Sequence, residues 1–229
     1  MKGITFHDLT SGITFDQKTK QYRLTKAIAE FSDDQQTLLA RWVDANHVVQ
    51  LPDLSSLLAK VYPYLNNPAQ SVIDLITSRN QRINDLILRS LQRRNGEKLV
   101  FYPETEKDAF VLELTRDFIN LLNKLIYKYE LTVMEGFKTF INNDIHHPFI
   151  GTIDIIAKSK TNQWYLFLLK TSKTSYLAKD YAQGFLQKIL VESNSKIKIK
   201  NSFLLNPRQE QVWLPVREIS QRSQFALLN

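Results

Sequence analysis

The sequence predicts a mixed α/β fold, with a central mixed sheet flanked by helices and an N-terminal, mainly helical region before it. Three observations lead there. Residues 149–191 read as strand, turn, strand, loop and helix. Residues 70–94 and 109–129 each carry apolar side chains at steps of three and four, the period of a helix with one buried face. The hydrophobic fraction of 43% and the charged fraction of 23% are those of an ordinary globular chain. At 229 residues, the chain suits a hairpin-plus-helical region over 1–106 joined to an α/β core over 107–229.

In chain order, Ile13-Thr14-Phe15, a polar stretch, and Tyr22-Arg23-Leu24 predict a β-hairpin. Thr25 can cap a helix starting at Lys26, and Ser32-Asp33-Asp34 marks a second helix start. Leu38, Leu39, Trp42 and Val43 then share one helical face. Pro52, Pro63 and Pro68 punctuate the chain, with a short helix carrying Leu54, Leu57, Leu58 and Val61 between the first two. In the helix over 70–94, Val72, Ile73, Ile76, Ile83, Leu86, Ile87 and Leu91 line one side, and Asn95-Gly96 ends it. Its Arg79, Arg82, Arg89, Arg93 and Arg94 read either as a face for phosphates or as the wet side of an ordinary helix. Residues 101–106 form a short strand or loop. The helix over 109–129 leads directly into a strand over 131–140. After residue 191, strands are expected at 202–205 and 211–214, and Pro215 opens a last short helix through Glu218 and Ile219.

Composition narrows the function classes. There is no cysteine, hence no disulfide, no thiolate chemistry and no cysteine-held zinc. No apolar run approaches the ~18 residues of a membrane-spanning helix, and the first ten residues lack a signal-peptide core. These features lead us to expect an intracellular protein, in the cytoplasm or nucleoid, with no membrane partner. Lys plus Arg exceed Asp plus Glu by 30 to 23, a formal charge of +7, which favours an anionic partner such as nucleic acid.

Two polar residues interrupt the apolar hairpin: Asp154 inside its first strand and Lys170 where its second ends. Buried unpaired, each would be costly, so the two are expected to converge at the rim of the sheet. Asp154 can otherwise be a strand-end carboxylate paired with Lys170, and Lys170 can snorkel into water. His146 and His147, just before this strand, read as a metal contact or as a solvated turn.

Gly151 and Asp154 as G-x-x-D, then a hydrophobic strand ending in Lys170-Thr171-Ser172, then a helix carrying Gln183, resemble the PD-(D/E)xK nucleases. The branch most similar is that of RecB-type nuclease domains, Cas4 and exonuclease V. The resemblance covers about the C-terminal half and implies a restriction-endonuclease-like core and metal-dependent hydrolysis of nucleic-acid phosphodiesters, DNA before RNA. It further implies Mg²⁺ or Mn²⁺ held by Asp154 and Glu135, with Glu130 behind Glu135 as a second candidate. Lys170 would orient the attacking water, and Gln183 would support the site. The pattern departs at Leu168, where the motif has Asp or Glu, and at Gln187, where it has Tyr. Asp180 or Glu192 could supply the displaced acid. The alternative is a catalytically inactive nuclease-fold subunit that binds nucleic acid or a protein partner.

Overall fold

The computed structural model describes residues 12–16, 19, 21–63, 69–94, 98–142, 144, 146–174, 176–194 and 197–228. The expected stop at Asn95-Gly96, the residues between the hairpin strands at 17, 18 and 20, and Pro68 lie outside them.

The N-terminal hairpin forms as β1 (Ile13–Asp16) and β2 (Gln21–Leu24), paired antiparallel, and β3 (Val48–Val49) adds a third strand beside β2. Thr25 does not cap a helix. The chain makes one 3-10 turn at Ile28–Glu30, where the Glu30 carboxylate accepts from the Ala27 N–H at 3.0 Å and takes up a donor that a Thr25 cap would have bonded. Helix α1 (Asp33–Trp42) begins at the expected serine-aspartate start. Helix α2 (Leu54–Val61) is capped by Asp53, whose side chain accepts from the Ser56 N–H at 2.6 Å. Ile141 and Ile150 of the large sheet share a core with Leu38, Leu39, Val49 and Leu51 from this part.

The two amphipathic stretches form α3 (Gln70–Gln92) and α4 (Ala109–Tyr129). Asp108 caps α4, its carboxylate accepting from the Phe110 N–H at 3.0 Å, and the helix ends at Glu130 with φ 48°. The large sheet comprises β4 (Leu131–Ile141), β5 (Ile150–Ser159), β6 (Trp164–Leu169), β7 (Ile199–Leu205) and β8 (Trp213–Pro215) in that order. Only the β6–β7 pair is parallel, with α5 (Ala178–Asn194) as its crossover. Pro215 ends β8 instead of opening a helix; the last helix, α6 (Gln221–Leu228), starts six residues later, after Ser220. The protein is therefore mixed α/β, with a central mixed sheet flanked by helices.

Two apolar layers sandwich the sheet. On one side Ile83, Ile87 and Leu91 of α3 and Phe118, Leu122 and Leu125 of α4 pack on Ile155, Ala157, Tyr165 and Phe167. On the other, Leu54 and Leu58 of α2, Leu186 and Leu190 of α5, and Leu227 of α6 pack on Ile153, Ile156 and Leu166. The first of these cores runs unbroken across position 106. Gly151 is small for a local reason: a Cβ there would lie 2.9 Å from Leu190 Cδ1 and 3.0 Å from Leu54 Cβ. Among the described residues no helix is long and apolar enough to cross a membrane.

Candidate functional site

Asp154 stands where the alternation of β5 breaks. Ile155 and Ala157 face α3 and α4, yet Ile153 and Ile156 both face α5. The partner strand is irregular at the same level: Gly136 pairs with Ile155 and Lys138 with Ile153, while Phe137 between them takes φ 56°. Asp154 Oδ2 accepts from the Leu169 N–H at 2.8 Å. Its Oδ1 accepts from Gln187 Nε2 at 3.4 Å, and Gln187 Oε1 accepts in return from the Asp154 N–H at 3.4 Å. Burial pushes the carboxyl up to about 6, against the pull of the Leu169 N–H, Gln187 and the charge of Lys170. Some solvent contact remains, because the residue also lines an open cleft.

The register of β5 and β6 sets Ile155 against Phe167 and Ile156 against Leu166; continued one step beyond the last paired residues, it brings Leu168 level with Asp154. Leu168 has no exposed surface. An isobutyl group thus fills the place where the resemblance expects a second carboxylate.

Lys170 leaves the end of β6 with its N–H donated to Leu205 O at 2.8 Å. Its ammonium binds Asp180 Oδ1 at 2.6 Å. Asp180, 5% exposed, also accepts from the Leu177 N–H at the start of α5 through Oδ2 at 2.9 Å, a carboxylate in a helix's first turn. The loop after Lys170 is held from several sides. Thr171 Oγ1 donates to Asn80 Oδ1 of α3 at 2.8 Å, Arg208 donates to Thr171 O at 2.8 Å, and Asn206 donates to Ser172 O at 2.9 Å. Arg208 and Arg79 lie over the Phe110 ring, at 5.1 and 5.0 Å from its centroid.

The other sequence-expected residues divide. Glu135 lies on β4 between Met134 and Gly136, which face α3 and α4, so its side chain points to the α5 side. Its Oε2 is buried without a hydrogen bond, 3.6 Å from Lys138 Nζ. Glu130 is drawn away to the far end of β4, 62% exposed and 4.0 Å from Lys160. Gln187, the position read as a departure from the helix motif, holds Asp154; Gln183, the position expected to support the site, does not hydrogen-bond it among the described residues. Glu192 accepts from the Ile199 N–H at 2.8 Å and is not part of the Asp154 group. His147 Nδ1 meets Asp144 Oδ2 at 3.1 Å in the loop before β5.

The arginines of α3 are committed to protein carboxylates. Arg79 and Arg82 reach Asp108 at 2.9 and 3.0 Å, Arg82 reaches Glu106 at 2.9 Å, and Arg89 and Arg93 both hold Glu104. Arg94 donates to Leu131 O at 2.8 Å. They clamp residues 104–108 and the start of β4 against the helix, so the phosphate-face reading of this helix gives way to a structural one.

Missed by the sequence reading is the cleft itself, about 710 Å³, walled by β1, β2, α3 and the irregular stretch of β4 and β5. Asp53, Asp85 and Asp154 line it against one cation, Lys138. Desolvation raises the Asp85 carboxyl, with Arg89 opposing. Tyr22 forms part of the wall, and burial pushes its hydroxyl up to about 12. Only the packing of the hairpin beside the large sheet creates this space.

The described residues leave few oxygens for a Mg²⁺ or Mn²⁺ ion. Mg²⁺ takes six oxygens, of which a protein commonly supplies one or two carboxylates and waters or phosphate the rest. Asp154 has both oxygens already accepting, Glu135 Oε2 is paired with Lys138, Leu168 offers no oxygen, and Lys170 is paired with Asp180. Among the described residues no group of three or more His, Asp or Glu side chains converges in the manner of a metal site.

The fold defines a class, an α/β protein built on a five-stranded mixed sheet. No protein-family model matches the chain, and no curated protein matches it. A solved structure described as the crystal structure of SSO0001 aligns at 12% identity over 76% of this chain and 80% of that one, with a TM-score of 0.32. A likeness that low carries no argument about function.

Proposed function

We propose that the chain is a nuclease-fold subunit that binds nucleic acid, DNA before RNA, inside the cell without hydrolysing it at the Asp154 centre. The observation that carries the reading is Leu168, wholly buried and level with Asp154 when the β5–β6 register is continued by one step. Hydrolysis of a phosphodiester by a bound cation needs the cation held by several oxygens and a positive group free to face the phosphate. Here the second carboxylate is replaced by a hydrocarbon, and the lysine is occupied by Asp180 at 2.6 Å. The helix, three strands, helix and strand running from α4 to β7 support the nuclease-fold part of the reading. The charge of +7 supports an anionic ligand. The test is incubation of end-labelled single- and double-stranded DNA and RNA with the purified protein in Mg²⁺ and in Mn²⁺. No cleavage above that of Asp154→Ala is expected; turnover that Asp154→Ala abolishes overturns the reading.

A second reading rests on Glu135. Its orphaned buried oxygen would make it, with Asp154, a two-carboxylate ligand pair for a divalent cation, with Lys170 orienting the attacking water. It requires Mn²⁺-dependent cleavage that is lost in both Asp154→Ala and Glu135→Gln.

A further inference from the structure

The cleft that holds Asp154 is the wrong sign for a phosphate chain, since it sets three carboxylates against one ammonium. The positive charge gathers elsewhere. At the opposite end of the large sheet, the turn between β5 and β6 brings together Lys158 and Lys160, and the register of β6 with β7 places Ile199 beside Trp164, so that Lys198 and Lys200 flank the same spot. Lys198 is 80% exposed and Lys160 55% exposed at the side chain. Among the described residues the acids ion-paired with these lysines are Glu192, 3.5 Å from Lys198, and Glu130, 4.0 Å from Lys160. Both carboxylates are outnumbered, four ammonium groups to two. Within this group lies the half-buried indole of Trp164, with Lys158 Nζ 5.5 Å from its centroid. Lys200 Nζ is positioned by Gln163 Oε1 at 2.6 Å.

We infer that this lysine belt around Trp164 is the surface on which a single-stranded nucleic acid docks, its phosphates on the four ammonium groups and a base against the indole. The inference rests on the nucleic-acid-binding reading above and adds where the ligand lies. An ammonium cluster alone would suit any polyanion. An aromatic ring set among the cations is what stacking of bases requires, and this favours a nucleic acid over an acidic protein or an anionic lipid surface. The six residues of β6 at ~3.3 Å each put the belt ~17–20 Å from Lys170.

The test is binding of a fluorescein-labelled 30-nucleotide mixed-sequence single-stranded DNA to the full chain, measured by anisotropy between 50 and 300 mM salt. Lys160→Gln/Lys198→Gln/Lys200→Gln is expected to weaken binding at least tenfold at 100 mM salt and to flatten the log Kd versus log salt slope by about 2, as loss of three phosphate contacts does. Trp164→Leu weakens binding with the slope unchanged. Lys138→Gln/Lys173→Gln, at the other end of the sheet, leaves both quantities as they were. Ultraviolet crosslinking to bromodeoxyuridine-containing DNA is expected to label peptides around 158–164 and 198–202. If the wild type binds and the belt variant binds equally, or crosslinks fall on residues 81–88, the belt is refuted while nucleic-acid binding stands. If the wild type binds no nucleic acid but does bind vesicles of anionic lipid, the nucleic-acid reading fails with it.

Discussion

Replacing Asp154 by asparagine should stabilise the protein, and the size of the gain follows from the burial of the carboxylate. The group titrates near 6 in the folded chain against 3.8 for an unperturbed aspartate. At about 1.36 kcal/mol per pKa unit that gap corresponds to about 3 kcal/mol, and residual solvent contact brings the expected effect to about 2 kcal/mol. The sign follows from proton counting. Between pH 3.8 and about 6 the folded state holds a proton that the unfolded state has released. Stability therefore falls as pH rises through that window and stays lower above it. Asparagine cannot ionise and keeps an acceptor for the Leu169 N–H, at the cost of the weak 3.4 Å bond that Gln187 Nε2 donates to the second oxygen. Urea unfolding at pH 4 and pH 7.5 reads the difference between the two proteins. The variant should match the wild type near pH 4 and exceed it by about 2 kcal/mol at pH 7.5. A variant less stable than wild type at pH 7.5, or a difference that does not change with pH, refutes the reasoning.

Three further outcomes follow from the same geometry. Lys170→Met should destabilise by about 2–4 kcal/mol because it strands Asp180 in a site only 5% exposed, and Lys170→Met/Asp180→Leu should recover part of that loss in a double-mutant cycle. Gly151→Ala should cost about 1–3 kcal/mol in chemical unfolding, since the new methyl meets Leu190 and Leu54 at 2.9–3.0 Å. Gln187→Leu removes a donor to Asp154 and should move that carboxyl further upward, followed by carboxyl-carbon NMR titration; a titration midpoint that stays or falls contradicts the assigned hydrogen bond.

Local periodicity made much of the fold legible. Helix α4 occupies the residues its apolar stripe marks, and β5 and β6 occupy the runs that Ile150–Ile156 and Trp164–Leu169 announce. The last helix was misplaced because Pro215 is as acceptable at a strand end as at a helix start, and only its pairing with Phe203 distinguishes the two. The arginines of α3 read as a binding face or a solvated one because their partners, Glu104, Glu106 and Asp108, lie in a connecting segment whose docking no local pattern reveals. For the candidate site, Asp154 and Lys170 stand out as polar breaks in apolar strands. Gln187 and Asp85 do not, because each becomes relevant only when a helix packs over the sheet. Leu168 was visible as a missing acid. Its complete burial and its place level with Asp154 needed the packed sheet and the strand register, continued by one step.

The central claim is that this centre lacks the oxygens to hold a divalent cation, and Mn²⁺ binding tests it most directly. Free Mn²⁺ measured by electron paramagnetic resonance, titrated against the wild type at pH 7.5, should fall no further than it does with Asp154→Asn. A stoichiometric site present in the wild type and absent in Asp154→Asn would contradict the claim and restore the metal-dependent reading.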